Sequence, residues 1–255
     1  MGHLDSALDA LLGASVLFIV RQGWVYWRSS RPGRKLWSVN ESKKLTIVIT
    51  SGSQYDGDEY TETVYPTEAR AASETEHFVH TLYPKIKIRV KTSNWITADD
   101  LRGNLCVIGG PVHNRITRQL LDQLDGDVQW RFNAYDFILD GETFNAKMSN
   151  EDPNLISSDI GVVYRGTNPY AHDSLLFLFA GCRTFGPLTA ARAMIRREAT
   201  RNRLPVNGSF SAVYKGDVHG DDVLEVALLA VSEANPKVQL EVGNRQLPRL
   251  GGTGR

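Results

Sequence analysis

A chain of 255 residues that is 42% hydrophobic can bury a full core, which fits one main domain with appendages. Its 29 Lys and Arg balance 29 Asp and Glu, so no global field draws it to nucleic acid. Two cysteines, Cys106 and Cys182, cannot staple a fold of this size, and the six histidines show no zinc spacing; a reducing compartment fits, and no metal site is expected.

Residues 1–28 read as an N-terminal hydrophobic helix. The uninterrupted apolar stretch between Asp9 and Arg21 has eleven residues, against roughly twenty for a comfortable span. The window Ala7 to Trp27 becomes long enough if Arg21 snorkels and Trp24, Tyr26 and Trp27 sit among headgroups. Alternatively Leu4, Leu8, Leu11, Leu12 and Ser15 form the apolar side of a helix lying in the interface or packed on protein. A cleaved signal would carry positive charge ahead of its apolar core, whereas the first Lys or Arg is Arg21. Residues 29–44, with Arg31-Pro-Gly-Arg-Lys35, read as a basic linker. Its charge places the following domain on the cytoplasmic side of a membrane whose lipid the helix would engage, with a cytoplasmic protein as the alternative.

The domain is expected over residues 45–245. Lys44-Leu-Thr-Ile-Val-Ile-Thr50 is a β-branched run ending at Ser51-Gly-Ser53, hence a first buried strand with a loop at its end. Pro66 opens a helix running to Leu82, with Phe78, Val79 and Leu82 at helical spacing. Lys85 to Lys91 alternates polar and apolar like an edge strand. Leu105 to Ile108 is a further strand, followed by a helix over Asn114 to Leu124. Asp140-Gly141 between apolar residues marks a hairpin. Gly161 to Arg165 and Leu175 to Phe179 read as two more strands around an Asn168-Pro169 turn, with a helix over Leu188 to Arg197. Ser209 to Tyr214 and Val223 to Val231 form a terminal hairpin. Residues 246–255, with three glycines, read as a disordered tail. The order implies an α/β, Rossmann-like, mostly parallel sheet with helices on both faces and an added β-hairpin, preceded by the hydrophobic helix.

Twice an apolar strand breaks at glycine and restarts as a helix, in Leu105 to Asn114 and in Leu175 to Gly186. Glycine lets backbone approach a ligand, and the amides of the following helix favour negative charge. In an open α/β sheet the ligand lies beyond the carboxyl ends of the strands. This selects Ser51 and Gly52 after the first strand, Gly109, Gly110 and Asn114 after the third, and Gly181, Arg183, Thr184, Gly186 and Thr189 after the late one. Arg183 offers a planar fork for phosphate or carboxylate. Gly181-x-x-x-x-Gly186 begins like a P-loop, but Pro187-Leu188-Thr189 stands where its lysine belongs, which argues against a nucleoside triphosphatase. Both turns are equally readable as helix–strand packing with no ligand.

Catalytic candidates are few. Cys182, beside Arg183 at an expected helix start, has surroundings that lower a thiol pKa, and His113 on the neighbouring loop is a candidate base. Asp56, Asp58, Glu59 and Glu62 form an acidic loop able to bind a cation or orient a sugar, or simply to be solvated.

Gly109-Gly-Pro-Val-His-Asn114 after a strand, Asn168-Pro169, and Ala180-Gly-Cys-Arg-Thr-Phe-Gly186 opening a helix together resemble a group of poorly characterised bacterial and archaeal Rossmann-like domains. The Gly-Gly-Pro-x-x-Asn element is also similar to one in the C-terminal regions of some archaeal surface-layer proteins. The overlap spans roughly residues 100 to 230 and implies the fold more than an activity. The leading expectation is a membrane-tethered cytoplasmic domain that senses a nucleotide or other phosphorylated small molecule, with an oligomer left open. Two alternatives are a hydrolase or group transferase using Cys182 or the acidic loop, and a non-catalytic interaction or surface scaffold.

Overall fold

The computed structural model describes residues 33–56, 59–123, 128–131, 135–195, 204–205 and 208–233. The chain divides into two compact units, Met1–Ser38 and Val39–Arg255. In the first, residues 33–37 are helical. The hydrophobic helix expected over 1–28 and the tail over 246–255 lie outside the described residues. Among the described residues no helix is long and apolar enough to cross a membrane.

The second unit begins before the expected boundary. Asn104 accepts from the Asn40 amide at 3.2 Å and donates to its carbonyl at 2.8 Å, while Lys43 pairs with Asp173 and Lys44 with Asp99. The last third of the expected basic linker therefore belongs to the domain, because these polar groups find partners on it.

The strands are β1 (Leu45–Ile49), β2 (Gly52–Asp56), β3 (Glu59–Thr63), β4 (Ile88–Thr92), β5 (Asn104–Ile108), β6 (Val128–Arg131), β7 (Asp136–Leu139), β8 (Glu142–Asn145), β9 (Lys147–Met148), β10 (Ile156–Asn168), β11 (Ala171–Gly181), β12 (Phe210–His219) and β13 (Asp222–Glu233). The helices are α1 (Pro66–Leu82), α2 (Ala98–Leu101), α3 (Arg115–Leu121) and α4 (Gly186–Ile195). The main sheet has the order β13-β12-β10-β11-β5-β1-β4, with β9 added beside β10. It is mixed rather than mostly parallel: β4, β1, β5 and β11 run parallel, and β10, β12, β13 and β9 are joined antiparallel.

The departure follows from one side chain. No helix separates β10 from β11, because Asn168 folds its side chain back to accept from the Tyr170 amide at 3.0 Å and donates to the carbonyls of Leu101 and Gly103, both at 2.7 Å. A turn pinned this way returns the chain as a hairpin, so the two strands lie antiparallel. The two expected hairpins do form: Asp140 and Gly141, both at positive φ, join β7 to β8, and β12 pairs with β13. The expected acidic loop is itself a hairpin, with Asp56 opposite Glu59 in the β2–β3 pair.

Strands β1 and β5 are buried throughout, as apolar runs covered on both faces must be. On one face α1 and α4 lie side by side, α1 over β1 and β5 and α4 over β10 to β13. On the other, Ile116 and Leu120 of α3 and Phe137, Leu139 and Phe144 of the β6–β7–β8 sheet close over Leu176 and Leu178. Each such side chain removed from water contributes roughly 1.5–3 kcal/mol.

Candidate functional site

The four parallel strands end at one edge, and the segments that follow them stand there in the order Ser93–Trp95, Thr50 with Ser51, Gly109 to Asn114, and Gly181 to Gly186. From β1 the chain goes first outward to β4 and then across to β5, so the strand order reverses between β1 and β5, the position beyond whose carboxyl ends open α/β sheets bind ligands. Gly109 stands at this point with φ +128, and a Cβ there would lie 2.2 Å from the Thr50 hydroxyl and 2.8 and 3.0 Å from the two carboxylate oxygens of Glu68. Only glycine satisfies both the backbone angle and the space.

Glu68 reaches this point from the first turn of α1, on the same buried stripe as Ala71, Ala72, Thr75, Val79 and Leu82. Its carboxylate accepts from the Thr50 amide at 2.8 Å, and no charged side chain bonds to it among the described residues. Burial pushes its pKa up to about 7, against the hydrogen bonds from Thr50 that favour the ionised form. A folded-state pKa above the ordinary value makes the group stabilising at low pH, with that contribution lost as pH rises through 4.5 to 7. Glu68→Gln should remove about 3 kcal/mol of pH dependence across this window, so that the variant gains on wild type above pH 7. Urea unfolding of both proteins at pH 5 and pH 8 measures it, and an unchanged difference between them would refute the assignment.

The first glycine turn is closed by its own side chains. Asn114 caps α3, accepting from the amides of Ile116 at 3.0 Å and Thr117 at 3.3 Å while donating to the Ile108 carbonyl at 3.1 Å. Its amide is thus occupied in joining β5 to α3. Thr117 donates to the Gly109 carbonyl at 2.8 Å, and Arg118 to those of Pro111 and Val112 at 3.0 and 2.9 Å. These bonds take up carbonyls. The amides of Gly110, Val112 and His113 have no partner among the described residues.

The second turn sits beside the first, with the Gly109 amide donating to Phe179 and Gly110 facing the Gly181 carbonyl. Its amides do face an anion, but that anion is Asp159. The buried Asp159 carboxylate accepts from Ile160 at 2.7 Å, Arg183 at 3.1 Å and Phe185 at 2.9 Å, with Gly186 adding to the set. Burial raises its pKa to about 6 in spite of these four amides. Gly181 and Gly186 serve contact between backbones, since a Cβ on Gly181 would lie 2.3 Å from the Gly186 Cα. Thr189 is buried, donating to the Phe185 carbonyl and facing Gly216, while Arg183 and Thr184 are exposed. The Arg183 guanidinium lies 4.6 Å over the Tyr135 ring.

Cys182 and His113 are not brought together as a nucleophile and base. Cys182 is buried beneath the β7–β8 hairpin, its thiol toward the Phe144 carbonyl at 3.5 Å, and burial with the nearby Asp159 and Asp136 pushes its pKa far up. A thiol so held is unreactive at neutral pH. His113 is exposed and packs its ring against Tyr65 at 5.6 Å. The Ser51 hydroxyl accepts from the side-chain amide of Asn94, and Gly52 lies opposite Thr63 in the β2–β3 hairpin.

Sequence reasoning missed Glu68, Thr50 and Asp159. For Glu68 a signal existed: it falls at helical spacing from Ala71, Ala72 and Thr75, which puts a carboxyl on the stripe facing the sheet. Nothing comparable marks Asp159. No protein-family model matches this chain, and no curated protein is detectably similar to it.

Proposed function

We propose that this domain is a non-catalytic, Rossmann-like ligand-sensing module that binds a nucleotide or other phosphorylated small molecule beyond the carboxyl ends of β1 and β5. The observation that carries the reading is the placement of Glu68, a buried carboxyl with no charged partner among the described residues, against Gly109 at the point where strand order reverses. Ionisable groups held at shifted pKa in such a position are typical of ligand sites. The three amides of the Gly110 to His113 turn supply donors for phosphate. The Gly181 to Thr189 turn is not assigned to ligand, because Asp159 fills it.

The buried Cys182 thiol and its separation from His113 favour sensing over a thiol enzyme. A phosphate dianion is repelled by ionised Glu68 and accepted by its protonated form, so binding should take up a proton. Mass spectrometry of small molecules released from native protein, followed by calorimetric titration with mono-, di- and cyclic nucleotides, tests the reading. Recovery of a phosphorylated compound, or micromolar binding of one panel member, is the expected outcome. A second reading, an interaction scaffold, is favoured by the self-filled second turn, and protein that releases no such compound and binds none would support it instead.

A further inference from the structure

We propose that Trp95 is the platform on which the base of a bound nucleotide stacks, an inference that rests on the ligand reading above and specifies its class. Trp95 is 69% exposed, an expensive position for the largest apolar side chain. It is nevertheless firmly held. Its indole N–H donates to one Glu62 oxygen at 2.6 Å, and the other Glu62 oxygen accepts from the Thr92 hydroxyl at 2.7 Å. The 3-10 turn Ser93–Trp95 is clamped from the next element, where the Arg115 guanidinium donates to the carbonyls of Ser93 at 3.0 Å and Asn94 at 3.3 Å.

The same contacts tie the ring to the proposed site. Ser51, which accepts from Asn94, directly follows Thr50, and Arg115 directly follows the capping Asn114. Both sides of that site therefore hold the turn that presents the indole. A ring fixed in advance loses little side-chain entropy on binding. Indole has one donor and no acceptor, and that donor is already committed to Glu62, so only its π faces remain for a ligand. Such a surface recognises a flat aromatic ring by overlap and does not read the hydrogen-bonding edge that distinguishes one base from another. Purines, with the larger face, should bind better than pyrimidines.

The test compares AMP with ribose 5-phosphate on the full chain, in wild type, Trp95→Ala and Trp95→Phe, by calorimetry and tryptophan emission, with circular dichroism confirming the fold. AMP should quench wild-type emission. Its affinity should fall about tenfold or more in Trp95→Ala and stay within about threefold in Trp95→Phe, where the quench disappears. Ribose 5-phosphate should bind wild type and Trp95→Ala equally. If both compounds bind but Trp95→Ala holds AMP as wild type does, or loses ribose 5-phosphate to the same degree, the base platform is wrong while the ligand reading stands. If wild type binds neither, the ligand reading fails and this inference falls with it.

Discussion

Gly181→Ala should destabilise the domain by about 4 kcal/mol, near the upper end for a single substitution. The added Cβ would meet the Cα of Gly186 at 2.3 Å, its carbonyl carbon at 2.5 Å and the Pro187 ring at 2.8 Å. None of these is the far end of a flexible side chain, so α4 itself must lift. It cannot lift alone, because Gly161 on β10 packs equally tightly against the Ala190 amide and the Gly186 carbonyl. Gly110→Ala is the natural control: its Cβ would meet only the Gly181 carbonyl, at 3.3 Å, and should cost about 1 kcal/mol or less. Urea denaturation of the two variants measures the contrast, and equal stabilities would show that the second glycine turn is not a backbone contact.

Arg192→Ala should cost about 3 kcal/mol, a fall in Tm of roughly 6–12 °C for a domain of this size. The buried Arg192 guanidinium grips both oxygens of Glu74, at 2.6 and 3.0 Å, and also bonds Asp222 and the Val223 carbonyl, so one side chain on α4 joins α1 and β13. Truncation leaves both carboxylates without their main partner. Arg70, 3.2 Å from Glu74 and 3.1 Å from Asp222, softens the loss and sets the expected value at the lower end for a broken buried pair. Arg192→Lys should recover only part of it, since an ammonium cannot reproduce the planar fork. Thermal unfolding followed by circular dichroism is the measurement, and an unchanged Tm for Arg192→Ala would refute the assignment.

Much of the fold was legible where one local rule acted alone. The run Leu45–Ile49 forms a buried strand because it is β-branched and mostly apolar; Pro66 starts α1; Asn114 caps α3; Asp140 and Gly141 turn a hairpin. Reading failed where a side chain acted at long range. The return of β10 into β11 depends on Asn168 bonding residues more than sixty positions earlier, which no local pattern encodes. The β2–β3 hairpin is too polar to show a strand signal. The second glycine turn does gather amides around a carboxylate, but its sequence does not say whether that anion is a ligand or Asp159, which lies 24 residues before Arg183.

Titration of a phosphorylated ligand into wild type and Glu68→Gln at pH 6 and pH 8 decides whether ligand binds beside Glu68. With Glu68 titrating at about 7, its protonated fraction falls about tenfold over this range, and wild-type affinity should fall by the same factor relative to Glu68→Gln. Titration of the phosphate itself affects both proteins alike and cancels in that ratio. Enthalpies in buffers of different ionisation heat should show proton uptake at pH 8 by wild type in excess of that by the variant. An identical pH response in the two proteins would place the ligand away from Glu68 and contradict the account.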